Sequence, residues 1–230
     1  MISRFGLLVK NRDLSFEDFD NHWRDVHGPL GARLPGLRAY YHNTIVDKEQ
    51  FGIEYARGAW DLDGISELAF DDMASMKEAV GDNPQSRALY EDTDFVDDVK
   101  VVACEKHVVI PFDRNDAPFI KRMSLIRRLP GISVEEFRHE WLKVHADMVR
   151  QWPDVLGYVQ NIVVGRYHNS GNDEVDFDAV PIDGIVEFWY RDKDVAADVY
   201  ASDIVAEAKV HGRTFLGEVT PYFVEERRVV

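Results

Sequence analysis

Two histidines and a tyrosine stand where acid–base chemistry can be done. Trp23 and His27 are four residues apart, which puts them on one face of a helix. Phe19 begins the same stripe, so His27 is expected to point toward the interior rather than into water. Tyr40 and His42 are two apart in AYYHNTIV, a run rich in β-branched and aromatic residues, and on a strand they share one sheet face. If that face meets the helix, His27, Tyr40 and His42 converge. An imidazole with an ordinary pKa of about 6.5 exchanges protons near neutrality. A tyrosine hydroxyl holds or protonates a developing enolate or phenolate oxygen. These three are the predicted catalytic residues. Trp23 and Tyr41 offer flat apolar surface to a substrate.

The elements that must position these residues occur twice. Residues 15–43 match residues 133–161 without a gap, at an offset of 118. Ser15, Phe19, Trp23, Val26, His27, Pro35, Tyr40 and Asn43 recur as Ser133, Phe137, Trp141, Val144, His145, Pro153, Tyr158 and Asn161. Internal repetition outranks other fold signals. In each copy a short apolar run, 4–9 or 119–126, reads as a strand. Ser15 and Ser133 read as N-caps, with Ser133 and Glu136 forming a capping box. Phe19, Trp23, Val26 and Leu30 form a core-facing helical stripe, as do Phe137, Trp141, Val144 and Met148. The helix is expected to break at Gly28-Pro29, because a residue before proline is pushed out of the helical region.

After Pro35 and Pro153 come second strands. The match then resumes at an offset of 120, with Asp63, Gly64, Ile65 and Glu67 facing Asp183, Gly184, Ile185 and Glu187. ISELAF and IVEFWY read as third strands, DDMASMKEAV and KDVAADVYAS as starts of second helices, and VKVVACEKHVV and VTPYFVEERRVV as fourth strands. Segments 47–57 and 165–182 read as surface loops. Each copy is thus a βαββαβ, ferredoxin-like unit, with domains predicted at 1–112 and 113–230. Helices cover only one face of each four-stranded sheet, and the other face needs burial. Eight strands suffice to close a barrel. The predicted fold is α+β, two repeats forming an intramolecular dimeric α+β barrel with antiparallel sheets.

Composition narrows the partners. The chain has 230 residues, 45% of them hydrophobic, and a formal net charge of −15. That charge disfavours nucleic acid and anionic membranes. Cys104 is the only cysteine, so no internal disulfide or cysteine-based zinc cage is available. The start lacks a signal-peptide h-region and no stretch is long and apolar enough to span a membrane, so the expected location is cytoplasmic. His27 and His42 with a carboxylate would make a metal triad, but no spacing singles out a third ligand, and no metal is expected.

The pattern resembles the EthD family of the dimeric α+β barrel superfamily. The resemblance rests on Phe19, Trp23, His27, Gly28, Pro29, Leu34, Pro35, Gly36 and Tyr40, with a second set at Phe137, Trp141, His145, Pro153 and Tyr158. It covers most of the chain, which looks like a tandem version of a domain that usually dimerises. It implies a small cofactor-free enzyme, a lyase or isomerase of dehydratase, decarboxylase or cyclase type. The substrate would be a small aromatic, lactone or polyketide-like molecule. Two other readings stay open: a non-catalytic ligand-binding or structural barrel, and a haem-binding one. No cofactor is predicted, and a homodimer of pseudo-dimers is left open.

The copies also differ. Gly28-Pro29 and Tyr41-His42 give way to Ala146-Asp147 and Val159-Gln160. The chemistry is therefore expected in the first copy, with His145 and Tyr158 joining Trp23 and Tyr41 as substrate-binding positions. His22, His107, His139, His168 and His211 are expected at the surface or at edges.

Overall fold

In a computed structural model, which describes residues 1–50, 52–114, 118–169 and 171–230, each repeat runs strand, helix, two strands, helix pair, strand. The first contains β1 (Ile2–Lys10), α1 (Phe16–His22), α2 (Gly28–Gly31), β2 (Ala39–Asp47), β3 (Gly64–Phe70), α3 (Met73–Ala79), α4 (Pro84–Glu91) and β4 (Val96–Ile110). The second contains β5 (Ile120–Arg128), α5 (Val134–His139), α6 (Ala146–Val149), β6 (Gly157–His168), β7 (Gly184–Tyr190), α7 (Lys193–Ala201), α8 (Asp203–Gly212) and β8 (Leu216–Arg228). All neighbouring strands are antiparallel, and the eight close into a barrel in the order β1-β3-β2-β8-β5-β7-β6-β4. The two seams between repeats are β2–β8 and β4–β6. Among the described residues, no helix is long and apolar enough to cross a membrane.

Most of the repeated residues have structural work. Ser15 and Ser133 accept the backbone N–H of Asp18 and Glu136 at the helix starts. The reciprocal half of the box expected at Ser133 is not formed; a complete one, Asn83 with Ser86, starts α4 instead. Trp23 and Trp141 pack their six-membered rings against Gly64 and Gly184, where a Cβ would come within 2.6 and 2.3 Å of the indole. Asp63 and Asp183 accept the N–H of Lys10 and Arg128, each at 2.9 Å. Asn43 and Asn161 donate to the carbonyls of Ile65 and Ile185 inside the barrel.

The helix does not break at Gly28-Pro29. Its residues stay helical through a wider, π-type turn at Trp23–His27, where the Gly28 N–H reaches back to the Trp23 carbonyl. The second copy has the same turn at Glu140–His145 without a proline, so the turn does not depend on Pro29. A π-turn adds a residue to one helical circuit. That rotates Val26 and Val144 off the stripe, and both are exposed, at 44% and 37%.

Alternation divides the strand residues. Phe5, Leu7, Ile45, Ile65, Val102, Cys104, Met123, Leu125, Ile185 and Tyr222 fill the barrel. One end of the interior is ionic. Lys121, fully buried, lies 2.6 Å from Glu187, 2.7 Å from Glu226, 3.3 Å from Glu67 and 2.9 Å from the Asn43 amide oxygen. Lys106 binds Glu67 at 2.8 Å and Arg114 binds Glu226. Burial pushes the Lys121 ammonium toward neutrality, but the three carboxylates outweigh it and hold it charged. Removing one partner of such a cluster leaves uncompensated buried charge. Lys121→Met is expected to cost about 3–5 kcal/mol, read from the urea midpoint; a loss under about 1 kcal/mol would contradict the assigned role.

The loops cross between repeats. Tyr55 of the first donates to the Lys209 carbonyl on α8 at 2.9 Å, and Arg4 donates to Gly171 of the second at 2.8 Å. Each repeat thus helps to wall the helical layer of the other.

Candidate functional site

The site lies between the helices of the first repeat and the outer face of its sheet. On β2 the outward residues are Tyr40 and His42. On α1 and its π-turn the inward residues are Phe19, Trp23 and His27. The last wall comes from the segment after α4. Phe95 is buried there, stacked 5.8 Å from Phe19 and 5.0 Å from His22, and tilted against His27 at 4.7 Å.

Asp92, at the end of α4, organises the group. Its carboxylate receives His22 Nε2 at 2.7 Å and His27 Nδ1 at 3.0 Å. Residues five apart diverge on an α-helix, and the added residue of the π-turn brings His22 and His27 to one carboxylate. Burial pushes the His27 pKa below its ordinary value, with Asp92 pulling the other way. His27 is therefore neutral near pH 7. Facing a carboxylate, it keeps its proton on Nδ1 and leaves Nε2 as a bare lone pair.

A cavity of about 50 Å³ lies beside it, lined by His27, Trp23, Tyr40, Asp92, Phe95 and Arg4, among others. It has room for a few waters, at roughly 10–15 Å³ each. Arg4 is buried against the Tyr167 ring, and burial lowers its pKa to about 10, still cationic at neutrality. Burial also pushes the Tyr40 phenol well above its ordinary value, so it stays a hydroxyl donor.

Of the residues nominated from sequence, His27, Tyr40 and Trp23 meet at this cavity. His42 does not line it. Its ring is buried beneath Gly28, stacked 4.1 Å from Trp23 and edge-on to Tyr40. Neither ring nitrogen has a hydrogen-bond partner among the described residues. Burial, with Arg227 and His27 nearby, lowers its pKa to about 3. Tyr41 is on the wrong face: strand neighbours point oppositely, and its ring lies 4.3 Å from the Arg114 guanidinium. His145 and Tyr158 are half a barrel away. With Trp141 they line a second cavity, of about 70 Å³, under the helices of the other repeat.

Asp92, His22 and Arg4 were not nominated. His22 is not at the surface as expected, but half-buried on Asp92. No α-helical spacing links His22 to His27, and Asp92 belongs to no motif. Arg4 did carry a signal, since Arg122 recurs at the same offset and is equally buried.

The comparisons with known proteins agree with this architecture. The EthD domain profile matches residues 11–98 and again 129–218. The chain belongs to the EthD-domain family. No curated protein sequence matches it. Among solved structures, an anthrone oxidase-like protein is similar with a TM-score of 0.65 and 11% identity, over 99% of this chain and 93% of the other. A provisionally named monooxygenase from Lactobacillus acidophilus NCFM gives a TM-score of 0.55 and 10% identity, over 100% and 94%. A mutant chlorite dismutase from Candidatus Nitrospira defluvii gives 0.51 and 9%, over 97% and 91%. At these identities the likeness is one of fold.

The EthD repeats differ instructively at His42. Gln160, its counterpart, donates to the Trp141 carbonyl at 2.7 Å and the Tyr158 hydroxyl at 2.8 Å. His42→Gln is expected to hold or raise stability at pH 7, since it can make the same bonds where His42 makes none. A histidine whose folded pKa is depressed to about 3 contributes stability present above pH ~6.5 and lost as pH falls toward the folded value. The variant should therefore lose less stability than the wild type between pH 7 and pH 5 in urea titrations. An equal or steeper loss would refute the account of His42.

Proposed function

We propose that the protein is a cofactor-independent lyase or isomerase that works by proton transfer at His27. The observation that carries this reading is the His27–Asp92 pair beside a small, mostly apolar cavity. In this reading Nε2 of His27 takes a proton from a carbon next to a carbonyl. The electron pair of that C–H bond moves onto the carbonyl oxygen. Asp92 stabilises the imidazolium, and the Tyr40 hydroxyl and Arg4 face the developing oxyanion. Returning the proton to another carbon gives isomerisation; loss of a β-substituent gives elimination.

The substrate class is a small aromatic, lactone or polyketide-like carbon acid. The name of the anthrone oxidase-like neighbour points the same way, since an anthrone is a fused-ring carbon acid. A cavity of about 150 Å³ is needed for benzene, so a ring enters only as this cavity widens around the His27–Asp92 pair.

Opening of 5-nitrobenzisoxazole, in which a base removes the ring C–H proton and the N–O bond breaks, tests the base directly. His27→Ala should lower kcat by about 10²–10⁴ with an unchanged circular-dichroism spectrum; unaltered turnover would sink the assignment. The wild-type kcat/KM should fall as pH drops through a value below 6.5, where His27 gains its proton. Asp92 holds that value up, so Asp92→Asn should move the limb to still lower pH while slowing turnover. A limb that moves upward would contradict the pairing.

A further inference from the structure

The two repeats carry the same three positions with acid and base exchanged. Where the first has His22 and Asp92, the second has Glu140 and His211. His22 and Glu140 are equivalent at the offset of 118, while Asp92 and His211 both lie at the C-terminal end of the last helix before the fourth strand. His27 therefore meets a carboxylate, whereas its counterpart His145 meets an imidazole. His145 Nδ1 lies 3.4 Å from His211 Nδ1, the rings stacked at 5.6 Å, and His211 Nε2 lies 2.9 Å from Glu140.

A carboxylate only accepts, so His211 donates to Glu140 from Nε2. With the His211 Nδ1 bare, that nitrogen accepts from His145 Nδ1 and leaves the His145 Nε2 as the lone pair. His145 also lines the second cavity, whose walls include Trp141, Trp152, Tyr158 and Phe188. Lys209 lines it too, its ammonium donating to the Tyr200 carbonyl at 2.9 Å.

We propose that the C-terminal cavity is a second proton-transfer site, in which His145 takes a proton from a carbon acid, the cavity widening where that acid carries a ring, and relays one through His211 toward half-buried Glu140. The proton from carbon goes to His145 Nε2, and the Nδ1 proton of His145 passes to His211 Nδ1. The new imidazolium sits against Glu140. The C–H electron pair moves onto the substrate oxygen, with Lys209 as the nearby positive charge. The ionisable groups around His145 are His211 and Lys209 on α8, Glu140 through His211, Tyr158 on β6, Tyr200 on α7 and Tyr55 from the other repeat.

The first test is 15N NMR of the imidazoles in the intact chain. At pH 7, His145 should be the Nδ1–H tautomer and His211 the Nε2–H tautomer. An Nε2–H His145 or an Nδ1–H His211 overturns the relay. The second test is 5-nitrobenzisoxazole opening in a His27→Ala background. Saturable turnover should remain and should fall at least tenfold on adding His145→Ala. Equal rates in the single and double variants overturn the second site without touching His27. Turnover in the single variant equal to wild type removes the His27 reading without touching this one.

Discussion

Closure of the barrel is the constraint on which the rest of the structure depends. Each repeat has one sheet face covered by helices and one that needs burial, and the two bare faces bury each other across the β2–β8 and β4–β6 seams. Closure then sorts every strand residue by alternation. Inward positions serve the interior, apolar around Phe5, Met123 and Tyr222 and ionic around Lys121. Outward positions lie beneath helices, and only there do Tyr40, Arg4 and the helix histidines share a space. The two histidine-lined cavities therefore lie in the helix–sheet layers, one under the helices of each repeat.

Within that layer the π-turn sets the chemistry. Trp23 seated on Gly64 fixes the height of the helix, and the added residue swings His27 inward beside His22. The result is one carboxylate shared by two imidazoles. The second repeat keeps the turn, the tryptophan and the cavity, but distributes acid and base differently. Descent from one duplicated unit accounts for the common frame, and the exchanged charges for two differently wired histidines.

Much of the fold was legible because its signals are local or repeated. The serine caps, the Phe-Trp stripe, the Asp-Gly pair and the alternation of each strand could be read directly, and burial of the second sheet face implied the barrel. The site was legible only in part. His27, Tyr40 and Trp23 stood out by recurrence on one face. Asp92 lies some 65 residues from His27 and is joined to it by tertiary packing alone. The π-turn breaks the regular helical period, so Val26, inward by that period, faces out, and His22, outward by it, turns in toward Asp92. Gly28-Pro29 signals a break by a local rule, but the chain stays helical there because the wider turn absorbs the proline. Tyr41 has the flat ring expected to face a substrate beside Trp23, but pleating turns it to the sheet face opposite Tyr40.

The central claim is that His27 is a neutral base oriented by Asp92. Its most direct test is a 15N NMR titration of the His27 ring in the wild-type and Asp92→Asn proteins. The account predicts a proton on Nδ1 and a bare Nε2 at pH 7, with protonation below pH 6.5 and lower still in the variant. A proton on Nε2 at pH 7, or protonation above pH 6.5, would contradict it.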